Sequence, residues 1–431
     1  MTGGLNALQV AVMLVSASCG IGFLFGSGEL ALLWHMAGSL YAVATALGML
    51  LLAAVAGRLW RSGAPIWDTF GTAYGAQARE LVASLSVLWM CGVVAAQIHG
   101  GLAIVGLMGV PPALAQVLVP ALIVAASRLD LSTASKVAAV GLCASTGVLL
   151  YALASVDGWW TYSTAAPTFV RDLALVPGPR LFIVVVAVAA LVATGCDYQQ
   201  FVIAARSRRS AVIGCLAAAL ILLVLGFLPA SVVLAYTAEH GTASAQGSQI
   251  IPFIMARVCA GSGGGLQWLM LCSLLLAALG SGAAVTRAMT AVVSARLSPP
   301  AWLGQGWIAG AVAVVSAAVA SRGQAIVETM VALNVVYLAS VGVAFVAIAC
   351  RVRLEPKLAR EVMCSGLVAS FAVYAAGWAG MLVHDADMLS LAAGLGASML
   401  RVAVARWGRS RRSGVSSGSA GLEPGIAPLA P

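Results

Sequence analysis

The chain has little charge. Only 9% of its 431 residues are Asp, Glu, Lys or Arg, against about 25% in an ordinary soluble domain, so a water-soluble globular class is excluded. It lacks the alternation of apolar and polar residues, over about ten positions, that marks a membrane barrel strand, which excludes a β-barrel. No basic segment precedes the first apolar run, so no cleaved signal is expected. The nine cysteines include no C-x-x-C pair and no His partner at ligand spacing, so neither a disulfide framework nor a metal site is indicated. Phosphate-cradling glycine loops and hydrolase nucleophile elbows are absent too.

What remains is apolar sequence. Runs of about 18 residues or more recur along nearly the whole length, each able to cross about 30 Å of hydrocarbon. The pattern predicts an all-α polytopic membrane protein with about twelve spans, near 5–34, 37–58, 80–106, 112–127, 133–155, 181–205, 209–236, 264–292, 302–321, 324–350, 361–383 and 385–405. The least marked boundaries are Ser321-Arg322-Gly323 and His384-Asp385-Ala386-Asp387. The longest outer connection, 156–180, carries Trp159 and Trp160 as interface anchors. Residues 408–431 are basic and then Ser/Gly/Pro-rich, and are expected to be disordered.

The basic residues test this map. With both termini cytoplasmic, nineteen of the 23 Lys and Arg fall on the inner side, and only Arg171, Arg180, Arg257 and Arg322 on the outer. A missed span would put every later loop on the wrong side and destroy that asymmetry. The net charge of +9 therefore reflects topology. Nucleic acid is not an expected partner, since the charges are scattered over loops and not gathered on one face.

Polar residues inside the spans are the candidate functional groups. Glu29 lies in the first span, Gln97 and His99 in the third, Asp197 and Gln200 in the sixth, Ser281 and Arg287 in the eighth, Glu328 and Asn334 in the tenth. A carboxylate at the bilayer centre costs about 2.5–3.5 kcal/mol on insertion scales, so such groups usually face a cavity or a partner. Two spans are interrupted by glycine: the first (Gly20, Gly22, Gly26, Gly28) and the sixth (Gly195). If the first ten spans are two five-helix halves, these are the first helices of each half. Interrupted helices at matching positions of an inverted repeat point to a transport site at the midplane.

Plainer roles compete with this reading. Gly22 and Gly26 form a G-x-x-x-G that also suits close helix packing. Glu29 also suits the outer interface, and Asp197 with Arg206 an inner structural or gating pair. His99 fits a satisfied interior histidine, and Arg287 fits an arginine reaching the inner interface.

Three stretches resemble the sodium:solute symporter family. "APIWDTFGTAYGAQAR" (64–79), followed by "LWMCGVVAAQIHGG" (88–101), is similar to that family's "pDfl..rYG...r" segment and the helix with "aaQi". "QFVIAARSRRSA" (200–211) resembles "QRxLAARxxxxA", and "LLLAALGSGAAVTRAMTAVVSARL" (274–297) resembles the eighth core helix, "laAimSTadS…as". Order and spacing agree over about residues 15–300.

The resemblance implies a leucine-transporter-like fold, here as a ten-helix core over 1–350 with inverted repeats about 5–155 and 181–350. Two further helices over 351–407 would follow. It also implies sodium-coupled import of a small organic solute. The cation would be held by the carbonyls of Ser16 and Cys19 in the first helix, and by the Ala278 carbonyl and Ser281 hydroxyl in the eighth. Substrate contacts expected from polarity and family geometry are Gly22, Phe23, Gln97, His99 and Asn334, with Glu29, Asp197 and Gln200 in coupling or gating. No cofactor beyond sodium is implied. The chain departs from the family at Gly282, where a second hydroxyl is usual, at Ala284, where an acid is usual, and at Phe201, where Arg is usual. These departures leave proton coupling through Glu29, or a non-transporting membrane sensor, as alternatives. A membrane-embedded enzyme is disfavoured, because no His/Cys/Asp grouping has suitable spacing.

Overall fold

A computed structural model describes residues 4–241, 250–258, 264–297, 305–320, 326–379 and 386–416. The described residues form helices throughout, and their one β-bridge pairs Leu5 with Ala205. The first expected span is two helices, α1 (Ala7–Ser18) and α2 (Ile21–Trp34), followed by a 3₁₀ turn (His35–Ser39) and α3 (Leu40–Ser62). Asn6 opens α1 with a capping box: its side chain accepts from the Gln9 amide at 2.9 Å, and the Gln9 side chain accepts from the Asn6 amide at 3.0 Å. A short helix α4 (Ile66–Tyr74) precedes α5 (Ala76–Leu107), α6 (Pro112–Ser127) and α7 (Leu131–Ser155). The connection to the second half carries α8 (Trp159–Ser163) and α9 (Ala165–Asp172), and Trp159 and Trp160 are exposed on it as interface anchors require.

The second half begins with another broken span, α10 (Gly178–Thr194) and α11 (Cys196–Ile203). It continues through α12 (Arg208–Leu225), α13 (Leu228–His240), α14 (Ile250–Val258), α15 (Gly264–Leu297), α16 (Gln305–Ala320) and α17 (Ile326–Ala349). Last come α18 (Pro356–Trp378) and α19 (Ala386–Ser416). By length and composition seven of the described helical stretches can cross a membrane, or eight if the bent α10–α11 pair is one span. The other expected spans are met by shorter apolar helices, including Ala7–Ser18 and Pro112–Ser127. The two unmarked boundaries, at 321–323 and 384–387, fall wholly or largely outside the described residues. Helix α19 runs on past Gly408 to Ser416, where an irregular tail was expected. Arginines 406, 409, 411 and 412 are good helix formers and no proline follows until Pro424.

Helix α1 packs on α12, α7 and α15; α5 packs on α15, α16 and α17; α3 packs on α10 and α12. Large side chains such as Trp89, Tyr337, Phe23 and Phe25 fill the centre. Leu114, Val117, Leu220 and Leu400 point outward, which suits hydrocarbon surroundings. Lipid gives helices no hydrophobic drive to associate, so close approach and interhelix hydrogen bonds carry more of the packing. The last three helices illustrate it. A side chain at Gly366 on α18 would fall on the Ala339 carbonyl of α17 and the Ser398 hydroxyl of α19, so only glycine permits that contact.

At the arginine-rich end, the first half of the family-like "APIWDTFGTAYGAQAR" stretch acquires a physical reason. Asp68 of α4 pairs with Arg79 of α5 at 2.7 Å, across a Gly75 turn whose φ of +88° favours glycine. Arg296 of α15 pairs with Glu80 and donates to the Arg79 carbonyl at 2.9 Å. The second stretch anchors α1. The Leu5 amide donates to the Ala204 carbonyl and the Arg206 amide to the Leu5 carbonyl, both at 2.9 Å. Trp60 adds a bond to the Ala205 carbonyl at 2.7 Å.

Candidate functional site between two broken helices

Helix α1 stops because Cys19 leaves the helical region (ψ 42°) and Gly20 is extended (φ −79°, ψ −169°). The next helix restarts at once, with the Phe23 and Leu24 amides both donating to the Gly20 carbonyl, at 3.1 and 3.0 Å. A helix end leaves its last carbonyls without intrahelical partners. One of them, Ala17, accepts a 2.8 Å hydrogen bond from the Ser281 hydroxyl of α15. Gly20 itself is pressed on by two side chains. A Cβ there would stand 2.5 and 2.7 Å from the two amide atoms of Gln97 and 2.7 Å from the Ser281 hydroxyl. The first break, α5 and α15 therefore meet at one point, and a side chain at position 20 has no room.

The second break lies across from it. Helices α10 and α11 bend by 41° at Gly195. Side chains take up carbonyls released there, Gln199 donating to Ala193 at 3.0 Å and Tyr337 to Thr194 at 3.3 Å, while the Thr194 hydroxyl bonds back to the Ala190 carbonyl within α10 at 2.8 Å. Gln200 ties this element to α15, donating to the Asp197 carbonyl at 2.8 Å and the Ala284 carbonyl at 3.0 Å. Asp197, in the first turn of α11, is 2% exposed, and its Oδ1 has no hydrogen-bond partner.

Between the breaks is a cavity of about 20 Å³, room for about one water. Asp197 and Tyr198 form one side, Phe23, Tyr41 and Trp89 another, and Ser18, Gln97 and Ser281 supply polar atoms. Asp197 is its only charged lining residue among those described.

The expected site residues divide around this centre. Phe23, Gln97, Asp197 and Ser281 line the cavity, and Gln200 braces α11 beside it. Ala278 is buried one turn before Ser281. Cys19 is buried at the break itself. Ser16 faces elsewhere, into a mostly apolar cavity of about 80 Å³ with Met13, Gly280, Ala283 and Arg287. His99 is half-buried and outside the lining, as expected two positions beyond Gln97 on one helix. Asn334 is 1% exposed with neither amide atom partnered, and it too lies outside the lining. Glu29 is half-buried on α2, two turns beyond the break. The side chains of Gly22's neighbour Ile21 and of Glu328 fall outside the described residues, as do the surroundings of Gly22.

Two sequence readings are corrected. Asp197 makes no ion pair with Arg206 among the described residues; it sits at the break, and Arg206 is exposed beside Leu5. Arg287 does not simply reach for water. It caps the end of α6, donating to the Ser127 carbonyl at 3.1 Å and the Leu129 carbonyl at 2.8 Å. The Gly282 departure also has a local cause. A Cβ there would stand 3.1 Å from Ile123 and 3.4 Å from the Gln97 Cβ, so any side chain at 282 would require Ile123 to give way by a few tenths of an ångström. Sequence reasoning missed Tyr41, Trp89 and Tyr198, because aromatics in apolar runs look like core. The adjacency of Tyr198 to Asp197 was the one available signal.

The sequence matches no protein-family model and no curated protein. Solved structures do match. A Na⁺-coupled sialic acid symporter in a substrate-bound outward-open state is 15% identical, with a TM-score of 0.71 over 93% of this chain and 90% of its own. The nucleobase-cation-symport-1 family transporter Mhp1, closed with bromovinylhydantoin bound, is 16% identical, with a TM-score of 0.59 over 94% of this chain and 93% of its own. The Eremococcus coleocola manganese transporter, in complex with an aromatic bis-isothiourea substituted compound, is 14% identical, with a TM-score of 0.58 over 93% and 94%. At such identities the likeness is one of architecture. The chain is an all-α integral membrane protein with the leucine-transporter-like fold that these transporters share.

Proposed function

We propose that the chain is a secondary active transporter that carries a small organic solute by alternating access, coupled to sodium. The observation that carries this reading is the meeting of both helix breaks with Gln97 and Ser281 around one small cavity. Broken helices offer backbone carbonyls to a cation without adding charge, provided they line a cavity. The proposed ligands are the carbonyls of Ser16, Cys19 and Ala278 and the hydroxyl of Ser281. Cation entry would exchange the Ser281–Ala17 hydrogen bond for ion coordination. Gly282 in the place of a second hydroxyl favours a weak site, completed by water.

Phe23 and Gln97 are the substrate contacts that the cavity supports, with Gly22 on the adjoining turn; His99 and Asn334 would need the walls to part. Asp197, Gln200 and Glu29 are assigned to coupling. A ten-helix core with two added helices, in the cytoplasmic membrane with both termini inside, is proposed on the arginine distribution. Solved transporters of this fold, a Na⁺-coupled symporter among them, support transport over catalysis.

The test is thermal. The purified protein is melted in NaCl, KCl and CsCl at matched ionic strength, with Ser281→Ala alongside. A ligand that binds only the folded state stabilises it by RT ln(1 + [L]/Kd), about 2.7 kcal/mol at 100 times Kd. A sodium-specific rise in Tm that Ser281→Ala abolishes is expected. Equal melting in all three salts would overturn sodium coupling.

A further inference from the structure

We propose that the transported solute carries an ammonium group, and that Asp197 is its counter-ion. The inference rests on the transporter reading above and adds the chemical class of the cargo. Asp197 is 2% exposed, and its Oδ1 has no hydrogen-bond partner. No basic side chain lines its cavity among the described residues, and no described ion pair includes it. Backbone amides at the start of α11 meet the carboxylate only in part, and a buried oxygen left without a hydrogen-bond partner is a deficit that a single cation removes. Its place in the first turn of α11 lets the positive end of that helix offset part of the cost of a charge there.

The walls narrow the class of cation. Phe23, Tyr41, Trp89 and Tyr198 contribute four rings to one small cavity. Ring faces carry negative quadrupole potential and attract organic cations within about 6 Å. A methyl-bearing ammonium satisfies a carboxylate and aromatic faces together. The cavity of about 20 Å³ is far below the 300–1,000 Å³ typical of small-molecule sites, so the walls must part for entry.

The full-length protein in detergent, at constant NaCl, is melted with methylammonium, trimethylammonium, tetramethylammonium and choline chlorides. The controls are 3,3-dimethylbutan-1-ol, an uncharged carbon isostere of choline, and acetate. At least one ammonium salt is expected to raise Tm, and neither control is. Asp197→Asn should lose the rise while keeping monodisperse elution and a cooperative melt. Tyr41→Leu, which keeps the carboxylate and removes one ring, should weaken apparent affinity about tenfold. The proposal fails if no ammonium salt acts, if the isostere acts equally, or if the rise survives in Asp197→Asn. Should Asp197→Asn not fold, an undiminished response in Tyr41→Leu overturns it and a weakened one supports it. An ammonium response without any sodium response leaves this inference standing and removes the sodium assignment. An ammonium response without flux in proteoliposomes leaves it standing and removes transport.

Discussion

The centre of the molecule and its last three helices treat buried polar atoms in opposite ways. Around the breaks, Asp197 Oδ1, Gln199 Oε1 and Trp89 Nε1 have no hydrogen-bond partner. Where α17, α18 and α19 meet, the buried hydroxyls are paired. Ser340 donates to the Met363 carbonyl at 2.9 Å, Ser370 and Ser390 share a bond of 2.7 Å, and Ser398 donates to the Val362 carbonyl at 2.9 Å. Most buried polar groups in proteins are satisfied, and each exception needs a reason. The contrast separates a region built to hold from a region built to receive. Satisfied hydroxyls fix α18 and α19 to α17, and on the reading proposed above the unmet groups at the breaks are left for ions and solute.

That contrast can be broken by substitution. The largest effect is expected at the centre: Gly20→Leu drives a side chain into Gln97 and Ser281 and should abolish both the sodium-induced rise in Tm and uptake by proteoliposomes. Gly366→Leu is the matching insult to the scaffold. It should destabilise by about 1–3 kcal/mol, read as a lower Tm, and leave the sodium increment intact. If the increment disappears with Gly366→Leu, the two regions are not separable. Ser398→Ala removes hydrogen bonds to Val362 and Ala339 and should cost about 0.5–1.5 kcal/mol in a denaturant or thermal series, again with no change in sodium response. The smallest change in unliganded stability is expected for Asp197→Asn. Replacing a buried carboxylate that has no described ion pair by an amide of the same size should leave the ligand-free Tm unchanged or higher; a clear fall would mean that its backbone hydrogen bonds carry stability.

Both interruptions were legible because glycine in an apolar span has few other uses, and each proved to be a break, at Cys19–Gly20 and at Gly195. Ser281 and Gln97 were legible as polar residues in spans that resemble a known family. Position, not residue type, separated Gln97 from His99: the same helix carries both, and only the rotation about its axis puts one in the cavity. The hydrogen bond from Ser281 to the Ala17 carbonyl was not legible, since the exact end of a helix depends on which carbonyls neighbouring helices capture. The Asp197–Arg206 pair was plausible at nine residues' spacing, but the bend at Gly195 turned Asp197 inward.

Composition and periodicity alone determined the solvent. A chain with 9% charge and recurring apolar runs has nowhere stable to fold except a bilayer, where only helices close all their backbone hydrogen bonds within the segment. Arginine placement predicted the orientation, and glycine placement the breaks. Only the tertiary structure decided which groups meet. The Asp197 carboxylate sharing one cavity with four aromatic residues, and the isoleucine packed on Gly282, join residues from six helices, α2, α3, α5, α6, α11 and α15. Such contacts are long-range, and they depend on crossing angles and bends of a few degrees that no local sequence pattern encodes.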